Sequence, residues 1–162
     1  MDETPVGPLL IFADHEQLLE IRFDDSDADS SGTPEDYSPA GSRLLNQTVL
    51  QLRQYFAGTL SVFQLPLQPA VNEFQQSVRN ELLRIPWGMT VSYSEIARRI
   101  GRPSASRAVG AANGRNPFPI VVPCHRVIGA DGSLTGFGGG LDRKRTLLLL
   151  EGALPPTLPG MC

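Results

Sequence analysis

The pattern of apolar and polar positions changes along the chain, and each change predicts a different element. Two apolar runs, residues 7–13 and 17–23, flank a short polar turn and predict a β-hairpin. Apolar residues then recur at helical spacing through residues 43–58, which predicts an amphipathic helix. The inner face of this helix is predicted to comprise Leu45, Val49, Leu52 and Phe56.

Two less regular segments accompany these elements. Residues 24–42 are acidic and rich in Ser and Pro, so they predict a mobile loop. Residues 59–70 contain two prolines and predict a strand followed by a linker. The hairpin and the helix together predict a small α/β unit over residues 1–69.

From residue 71 onward the pattern becomes mainly helical. Helical spacing of apolar residues continues through residues 72–85, and Pro86-Trp87-Gly88 ends that helix. The apolar positions of this helix are Phe74, Val78, Leu82 and Ile85.

Two short helices are predicted next. Ser92 and Glu95 have the spacing of a capping box, and Gly101 lies where a helix C-terminal cap belongs. After Arg102-Pro103, a second short helix is predicted from Ser104. Two short helices joined by a tight turn with Gly and Pro are typical of a helix-turn-helix.

The second of these helices consists mainly of small residues. Arg107 is its one long side chain, and Val109 is expected to face the core. The minor groove of B-DNA is only about 6 Å wide, so a slender helix could enter it. Arg107 could then wedge into the base stack and replace an extruded nucleotide. Close packing of an Ala/Gly helix against the protein core explains the same composition, and the residues alone leave both interpretations open.

The net charge of −3 conceals a division between the two halves of the chain. Residues 1–69 hold 3 basic and 11 acidic residues, a net charge of −8. Residues 70–150 hold 11 basic and 5 acidic residues, a net charge of +6. The second half is therefore the candidate partner for a polyanion such as DNA.

Composition excludes several classes of protein. No window approaches the eighteen or more apolar residues of a membrane span, so we expect a soluble, cytoplasmic protein. Two cysteines, one of them the final residue, do not make a disulfide framework. Two histidines and two cysteines without ligand spacing predict no metal site.

Cys124 and His125 are the chain's most conspicuous reactive pair, and they follow a segment with three prolines. Adjacent residues on a regular strand point to opposite faces. For the two side chains to cooperate, the backbone must bend near Pro123 or a water must bridge them. A third group should orient the histidine. On local pattern alone, Cys124 is either a buried small hydrophobe or a nucleophile.

The segment PCHRV, residues 123–127, resembles the active-site signature of the O6-alkylguanine-DNA alkyltransferases, also called methylated-DNA–protein-cysteine methyltransferases. Similar motifs run in the family's order along most of the chain: GPL, YFAG, FQQSV, IPWG, SYSEIA, RAVG, NGRNP, PCHRVIG, TGFGGG and RKRTLLLLEG. PCHR alone would be weak evidence, but the full ordered set is specific.

The resemblance implies direct DNA repair by irreversible, stoichiometric transfer of the alkyl group of O6-alkylguanine, and of O4-alkylthymine, to Cys124. His125 would take the thiol proton through a water, and Glu151 would hold His125. Asn116 would tie DNA binding to the active site, and Tyr93 would protonate guanine N3. The resemblance implies no cofactor and a monomeric protein whose partner is double-stranded DNA.

The remaining implied site residues fall into two groups. The implied DNA-binding residues are Arg107, Tyr93, Ser94, Arg102, Ala105, Ala108 and Gly110. The implied pocket for the flipped base contains Val127, Phe137 and Gly138. Phe137 and Gly138 depart from the Tyr and Ser that other members often carry, and Arg79 stands where many members have Trp.

We therefore expect an α+β fold with two packed domains. The first, residues 1–69, is the α/β unit with its hairpin and helix. The second, residues 70–154, is mainly helical, contains the helix-turn-helix and carries Cys124 on a short strand. Residues 155–162, including Cys162, should be a loose tail.

Three alternatives differ in the chemistry they need. A non-enzymatic lesion binder of the alkyltransferase-like type would replace the cysteine, commonly with Trp, whereas this chain has Cys124. A regulator that reads the major groove needs Asn, Gln, Arg or Lys along its recognition helix. A cysteine hydrolase needs an oxyanion hole, and no signature for one accompanies the Cys-His pair.

Overall fold

The computed structural model describes residues 1–25 and 39–155, and the side chains of all of these except residues 39–42. Most of the predicted acidic loop and of the predicted tail, with Cys162, lies outside these residues. The chain divides into two compact units. The first comprises residues 1–69 and 117–121, and the second comprises residues 70–116 and the chain from residue 122 onward. The short segment 117–121 thus clusters with the first unit although its neighbours in sequence do not.

The predicted hairpin is confirmed in the first unit. Strands β1 (Leu9–Ala13) and β2 (Leu18–Phe23) pair antiparallel, with an irregularity between Phe12 and Ala13. The carboxylate of Asp14 accepts the backbone N–H groups of Glu16 and Gln17, both at 2.7 Å, and so closes the turn. This use of Asp to pair free backbone donors is typical of tight turns.

Helix α1 (Pro39–Phe56) begins earlier than predicted and buries a different face. The buried residues are Leu44, Thr48, Gln51, Leu52 and Tyr55. The predicted Leu45, Val49 and Phe56 are only half-buried. The prediction was right for Leu52 and wrong for the other three positions, because it counted apolar residues alone. Thr48 and Gln51 are buried with hydrogen bonds to the backbone of Leu44 and of Gln64.

The hydrogen bonds of Gln51 also explain why no strand forms around Gln64, within residues 59–70 where one was predicted. The side-chain oxygen of Gln51 accepts the backbone N–H of Gln64 at 2.8 Å, and its amide donates to the Gln64 carbonyl at 3.0 Å. The backbone groups that a strand partner would use are therefore bound to a helix side chain. Among the described residues, Leu67 pairs with Leu18 in one isolated parallel bridge.

The second unit contains the helix predicted over residues 72–85 and the two predicted short helices. Helix α2 (Glu73–Leu83) is capped by Asn72, whose side chain accepts the Gln75 N–H at 2.9 Å. Helix α3 (Tyr93–Arg99) follows the two-residue strand β3 (Val91–Ser92), and helix α4 (Ser106–Gly114) begins two residues later than predicted. The turn between α3 and α4 is closed by a bond from Ala105 N–H to the Arg102 carbonyl at 2.9 Å. These helices confirm the predicted helix-turn-helix pattern.

Only half of the predicted capping box forms at the start of α3. Ser92 accepts the Glu95 N–H at 3.1 Å, as a capping serine should. The Glu95 carboxylate instead binds Arg98 and Arg99. Two nearby guanidinium groups compete successfully with a backbone N–H because hydrogen bonds between two charged groups are stronger.

Cys124 does not lie on a strand, which corrects the sequence prediction. It opens a one-turn 3-10 helix (Cys124–Arg126), and strand β4 (Val127–Ile128) starts only after it. Strand β4 pairs parallel with β3. The last element is helix α5 (Leu141–Leu150), which ends with Glu151 as its C-cap and Gly152 in the left-handed region at φ 70°. The predicted α+β class is confirmed, and no helix in the described part of the chain is long and apolar enough to cross a membrane.

Candidate active site

The backbone bends at Pro123, so Cys124 and His125 lie in one helical turn and not on a regular strand. Pro123 has φ −79° and ψ 61°, and the Cys124 N–H donates to the Val122 carbonyl at 2.7 Å. Within a helical turn, consecutive side chains no longer alternate between opposite faces. A bend near Pro123 was one of the two conditions, beside a bridging water, under which the Cys124 and His125 side chains were expected to cooperate. Cys124 is nearly enclosed, with 4% of its surface exposed.

His125 and Glu151 form a buried pair. The His125 Nε2 lies 2.8 Å from Glu151 Oε1, and neither side chain is exposed. Burial lowers the pKa of His125, because a charged imidazolium loses hydration there, and the positive charges of Arg126 and Lys144 lower it further. Glu151 opposes this effect. The histidine is therefore neutral in the resting site and able to accept a proton.

Arg126 is a partner of Glu151 that sequence reasoning missed. Its Nε donates to Glu151 Oε2 at 2.8 Å and its Nη2 donates to Oε1 at 2.9 Å, while its Nη1 donates to the Ile85 carbonyl. A carboxylate at the C-terminal end of a helix is unfavourable next to the negative end of the macrodipole, so a cationic or imidazole partner stabilises it. The structure supplies both kinds of partner from consecutive residues.

Lys144 is a second residue that sequence reasoning missed. It lies on α5, its side chain is fully buried, and its ammonium donates to the carbonyls of Val127 and Thr135. Burial lowers the pKa of Lys144 to about 8. Helical spacing could have placed Lys144 on the buried face with Leu147 and Leu148, but a lysine at such a position is normally assigned to solvent.

The surroundings of Cys124 shift the pKa of its thiol in opposing directions. Burial raises its pKa to about 11, while a hydrogen bond from the Asn116 side chain and the positive charge of Lys144 both act to lower it. In the resting protein the desolvation effect is larger, so the thiol is protonated at neutral pH. Transfer chemistry at this sulfur therefore needs a base that removes the proton when the substrate arrives.

Tyr93 shares an acceptor with Lys144. The Tyr93 hydroxyl donates to the Thr135 carbonyl at 2.8 Å, and the Lys144 ammonium donates to the same carbonyl at 2.7 Å. The loop between β4 and α5 is thus joined to both side chains. Burial raises the pKa of Tyr93. Its hydroxyl stays protonated at neutral pH and can act as a donor.

Two asparagines hold the carbonyls on either side of Pro123. Asn116, which was predicted, donates to the Val122 carbonyl at 3.0 Å. Asn113, which sequence reasoning missed, lies in α4 and donates to the Cys124 carbonyl at 3.2 Å. Asn116 also reaches the thiol itself, as described above. No local signal marks Asn113 as buried, because a polar residue near a helix end is normally assigned to solvent.

The residues predicted to bind DNA lie at the surface of the helix-turn-helix. Arg107, Ala108, Arg102 and Ser94 are exposed, while Ala105 and Gly110 are half-buried. Val109 is fully buried, as predicted. The Arg102 guanidinium carbon lies 5.6 Å from the centre of the Phe74 ring. The slender helix therefore shows its small residues and Arg107 to solvent and its one branched residue to the core.

The residues predicted to form the base pocket are not all equally accessible. Val127 is fully buried, whereas Phe137 is half-buried and Gly138 is exposed. A side chain added at Gly138 would lie 3.7 Å from the Gly114 carbonyl, at the end of α4. Over the described residues, no group of three or more His, Cys, Asp and Glu side chains could hold a metal ion.

Two protein-family models match the chain and together cover most of it. The model of the 6-O-methylguanine DNA methyltransferase ribonuclease-like domain matches residues 2–69, and that of the DNA binding domain matches residues 73–153. The chain belongs to this methyltransferase family. Arg79, where many members of the family carry Trp, is half-buried on α2, and burial lowers its pKa.

Named relatives of the family agree with this assignment. The methylated-DNA--protein-cysteine methyltransferase of Methanosarcina acetivorans is 49% identical over 156 residues, which is 93% of this chain and 96% of the relative. That of Mycolicibacterium paratuberculosis is 50% identical over 92% of this chain and 88% of its own length. The crystal structure of Mycobacterium tuberculosis OGT in complex with DNA superposes with a TM-score of 0.81, at 47% identity over 94% of this chain and 91% of that one.

Proposed function

We propose that this protein repairs DNA by moving the alkyl group of O6-alkylguanine, and of O4-alkylthymine, onto its own Cys124. The observation that best supports this proposal is that Cys124 directly precedes His125, which is buried in a pair with Glu151. The chain also belongs to this methyltransferase family. In reaction class the protein is a methylated-DNA–protein-cysteine S-methyltransferase. It acts as a monomer in the cytoplasm and needs no cofactor.

The proposed reaction is one displacement. The thiol proton of Cys124 passes through a water to neutral His125, and Glu151 stabilises the imidazolium that forms. A bond forms between Sγ and the alkyl carbon while the bond from that carbon to O6 breaks, and the electron pair stays on guanine. The Tyr93 hydroxyl donates its proton to guanine N3 as this charge develops. Tyr93 must then leave the Thr135 carbonyl, to which it donates in the resting protein.

The helix-turn-helix would deliver the base. Helix α4, with exposed Ala108 and Arg107, is slender enough for the minor groove, and Arg107 would fill the gap left by the flipped nucleotide. Ser94, Arg102, Ala105 and Gly110 would lie along the same contact. Phe137 and Gly138 would close over the base, and the Gly138 N–H would reach O6. The +6 charge of residues 70–150 supports this placement of the DNA.

The product is a thioether, and a thioether is not cleaved by ordinary nucleophiles in water. The site described above offers no second nucleophile positioned to remove the alkyl group. Each molecule would therefore act once and be consumed, so one protein would repair one base.

Intact-protein mass spectrometry tests this proposal. The protein is mixed with an equimolar duplex that carries one O6-methylguanine, and peptide mapping locates any adduct. We expect one added methyl at Cys124 and none at Cys162, with guanine restored in the DNA. A Cys124→Ser variant should bind the duplex without gaining mass. Binding without methyl transfer by the unaltered protein would replace the proposal with a lesion binder.

A further inference from the structure

Asn113 occupies a position where an apolar residue would be expected. It follows Val109 by one helical turn on the inner face of α4, and only 2% of its surface is exposed. Burying an amide is unfavourable unless its hydrogen bonds are replaced. Here the replacement is incomplete: among the residues that the structure describes, the Asn113 Oδ1 atom has no hydrogen-bond partner.

The one hydrogen bond that Asn113 makes leads to the reactive cysteine. Its Nδ2 donates to the Cys124 carbonyl at 3.2 Å, and this carbonyl also accepts the Val127 N–H. On the other side of Pro123, the Val122 carbonyl accepts the Asn116 amide at 3.0 Å and the Cys124 N–H at 2.7 Å. Each carbonyl that flanks Pro123 is thus fixed by one backbone N–H and one asparagine.

We propose that Asn113 is a positioning residue that fixes the backbone of Cys124 relative to helix α4. This inference rests on the proposed function, in which α4 contacts DNA and Cys124 attacks the flipped base. Asn113 is the one member of the amide pair that lies within α4 itself and is bonded to the carbonyl of the nucleophile's own residue. Displacement of a reacting group by about 1 Å can cost about a hundredfold in rate, so such a bond bears directly on transfer.

This role predicts that a substitution of Asn113 can lower the alkyl-transfer rate without lowering the melting temperature of the protein. Asn113→Leu has similar size, removes the unpaired oxygen and replaces a buried amide by an apolar group. The variant therefore no longer carries the desolvation cost of the unpaired oxygen, and it gives up one hydrogen bond. The Cys124 carbonyl keeps its bond from Val127, so the fold should keep its melting temperature or gain. The alkyl-transfer rate should nevertheless fall by about tenfold to a hundredfold.

The experiment measures single-turnover transfer from an O6-methylguanine duplex and thermal unfolding of the full chain. Val109→Ala serves as the matched control, because it removes buried volume from the same face of α4 one turn away. It should lower the melting temperature and leave the transfer rate near that of the unaltered protein at a temperature where both are folded. Asn113→Ala provides a second test if the leucine variant does not fold.

A second measurement distinguishes a change in the position of Cys124 from a change in the pKa of its thiol. The rate at which iodoacetamide alkylates Cys124 as a function of pH reports the pKa of the thiol, and this pKa should not change because Asn113 bonds the backbone carbonyl. The inference is overturned if both Asn113 variants transfer within about twofold of the unaltered protein. A rate loss that only follows the loss of melting temperature would overturn it too. If the unaltered protein itself transfers no methyl, the proposed function fails first, so the two failures are distinguishable.

Discussion

At the scale of residues, the carboxylate of Glu151 is a hydrogen-bond partner of two neighbouring side chains at once. Its carboxylate binds His125 and takes two bonds from Arg126, all of them buried. Removing one partner of a buried ion pair leaves an uncompensated charge, which typically costs about 3–5 kcal/mol. We therefore expect Arg126→Met to lower the free energy of unfolding by about that amount, measured by urea denaturation.

The chain provides an exposed counterpart for comparison. Arg98 binds Glu95 through two hydrogen bonds of 2.9 and 2.6 Å, but 68% of the Arg98 side chain is exposed. Exposed ion pairs contribute about 0–1 kcal/mol. Arg98→Met should therefore change the unfolding free energy by no more than that. Equal losses for Arg98 and Arg126 would contradict the assignment of burial as the cause.

Lys144 makes the reactivity of Cys124 depend on pH in a specific direction. Its positive charge acts to lower the pKa of the thiol, and its own pKa is lowered to about 8. Below that pH the lysine is charged and favours the thiolate, and above it the charge is lost. Lys144→Gln should slow methyl transfer at neutral pH by up to about tenfold, because the thiolate loses a nearby positive charge that favours it. The difference from the unaltered protein should shrink as the pH rises beyond about 8.

A charge control lies next to it on the same helix. Arg145 is exposed, so Arg145→Gln removes one positive charge without touching the site. At a saturating concentration of the duplex, where DNA binding does not limit the rate, single-turnover rates across the pH range should coincide for Arg145→Gln and the unaltered protein. If the ratio of unaltered to Lys144→Gln rates stays constant through pH 8, the effect of Lys144 is not electrostatic.

At the scale of elements, the loop between β4 and α5 contacts Tyr93 in two ways. The Thr135 carbonyl accepts the Tyr93 hydroxyl, and Gly136 leaves room for that hydroxyl. Gly136 has φ 60°, and a Cβ there would lie 3.2 Å from the Tyr93 hydroxyl. Gly132, in the same loop, has φ 83° and open space around it. A residue other than glycine in this region costs about 1–2 kcal/mol. Gly136→Ala should slow transfer, because the loop or Tyr93 must move, whereas Gly132→Ala should lower stability and keep the rate.

Single-turnover kinetics and urea denaturation of both glycine variants check this prediction. Both variants carry the same backbone penalty, so the contact with Tyr93 is the feature that distinguishes them. Similar slowing in both would show that strain in the loop, and not the Tyr93 contact, controls the reaction.

The elements that the sequence predicted correctly are those specified by local signals. The hairpin has two apolar runs around an Asp turn, and the start of α3 has Ser92 as its cap. The errors occur where distant groups decide. Gln64, within residues 59–70, bonds the Gln51 side chain instead of a neighbouring strand, and Gln51 belongs to the buried face of α1. No local pattern in residues 59–70 encodes a partner that lies in another element.

The site shows the same limit. Cys124 and His125 are adjacent in sequence, so the sequence could propose them as a pair. Glu151 entered through the family resemblance. Arg126, Lys144 and Asn113 were missed, because each is a polar residue that only the assembled fold buries. Their positions follow from contacts over 9 to 41 residues of sequence, for which single-chain periodicity carries no information.

At the scale of the whole molecule, charge is the property that sequence alone predicts best. Residues 1–69 carry −8 and residues 70–150 carry +6, and all but one of the basic residues are arginine. The guanidinium group suits phosphate contacts because it offers two parallel donors. The proposed DNA contact therefore assigns salt-sensitive binding to arginines of the second half. Substituting exposed arginines of the first half should leave DNA affinity and its salt dependence unchanged.

Arg102 and Arg53 allow that assignment to be tested with one substitution each. Both are exposed arginines, the first before α4 and the second on α1 in the acidic half. The logarithm of the DNA affinity falls with the logarithm of salt concentration, with a slope set by the number of phosphate contacts. Arg102→Ala should weaken duplex binding and reduce this slope by about 1, because one contact is lost. Arg53→Ala should leave both slope and affinity unchanged. An equal change in slope for the two variants would mean that binding follows net charge alone and that the helix-turn-helix does not define the contact.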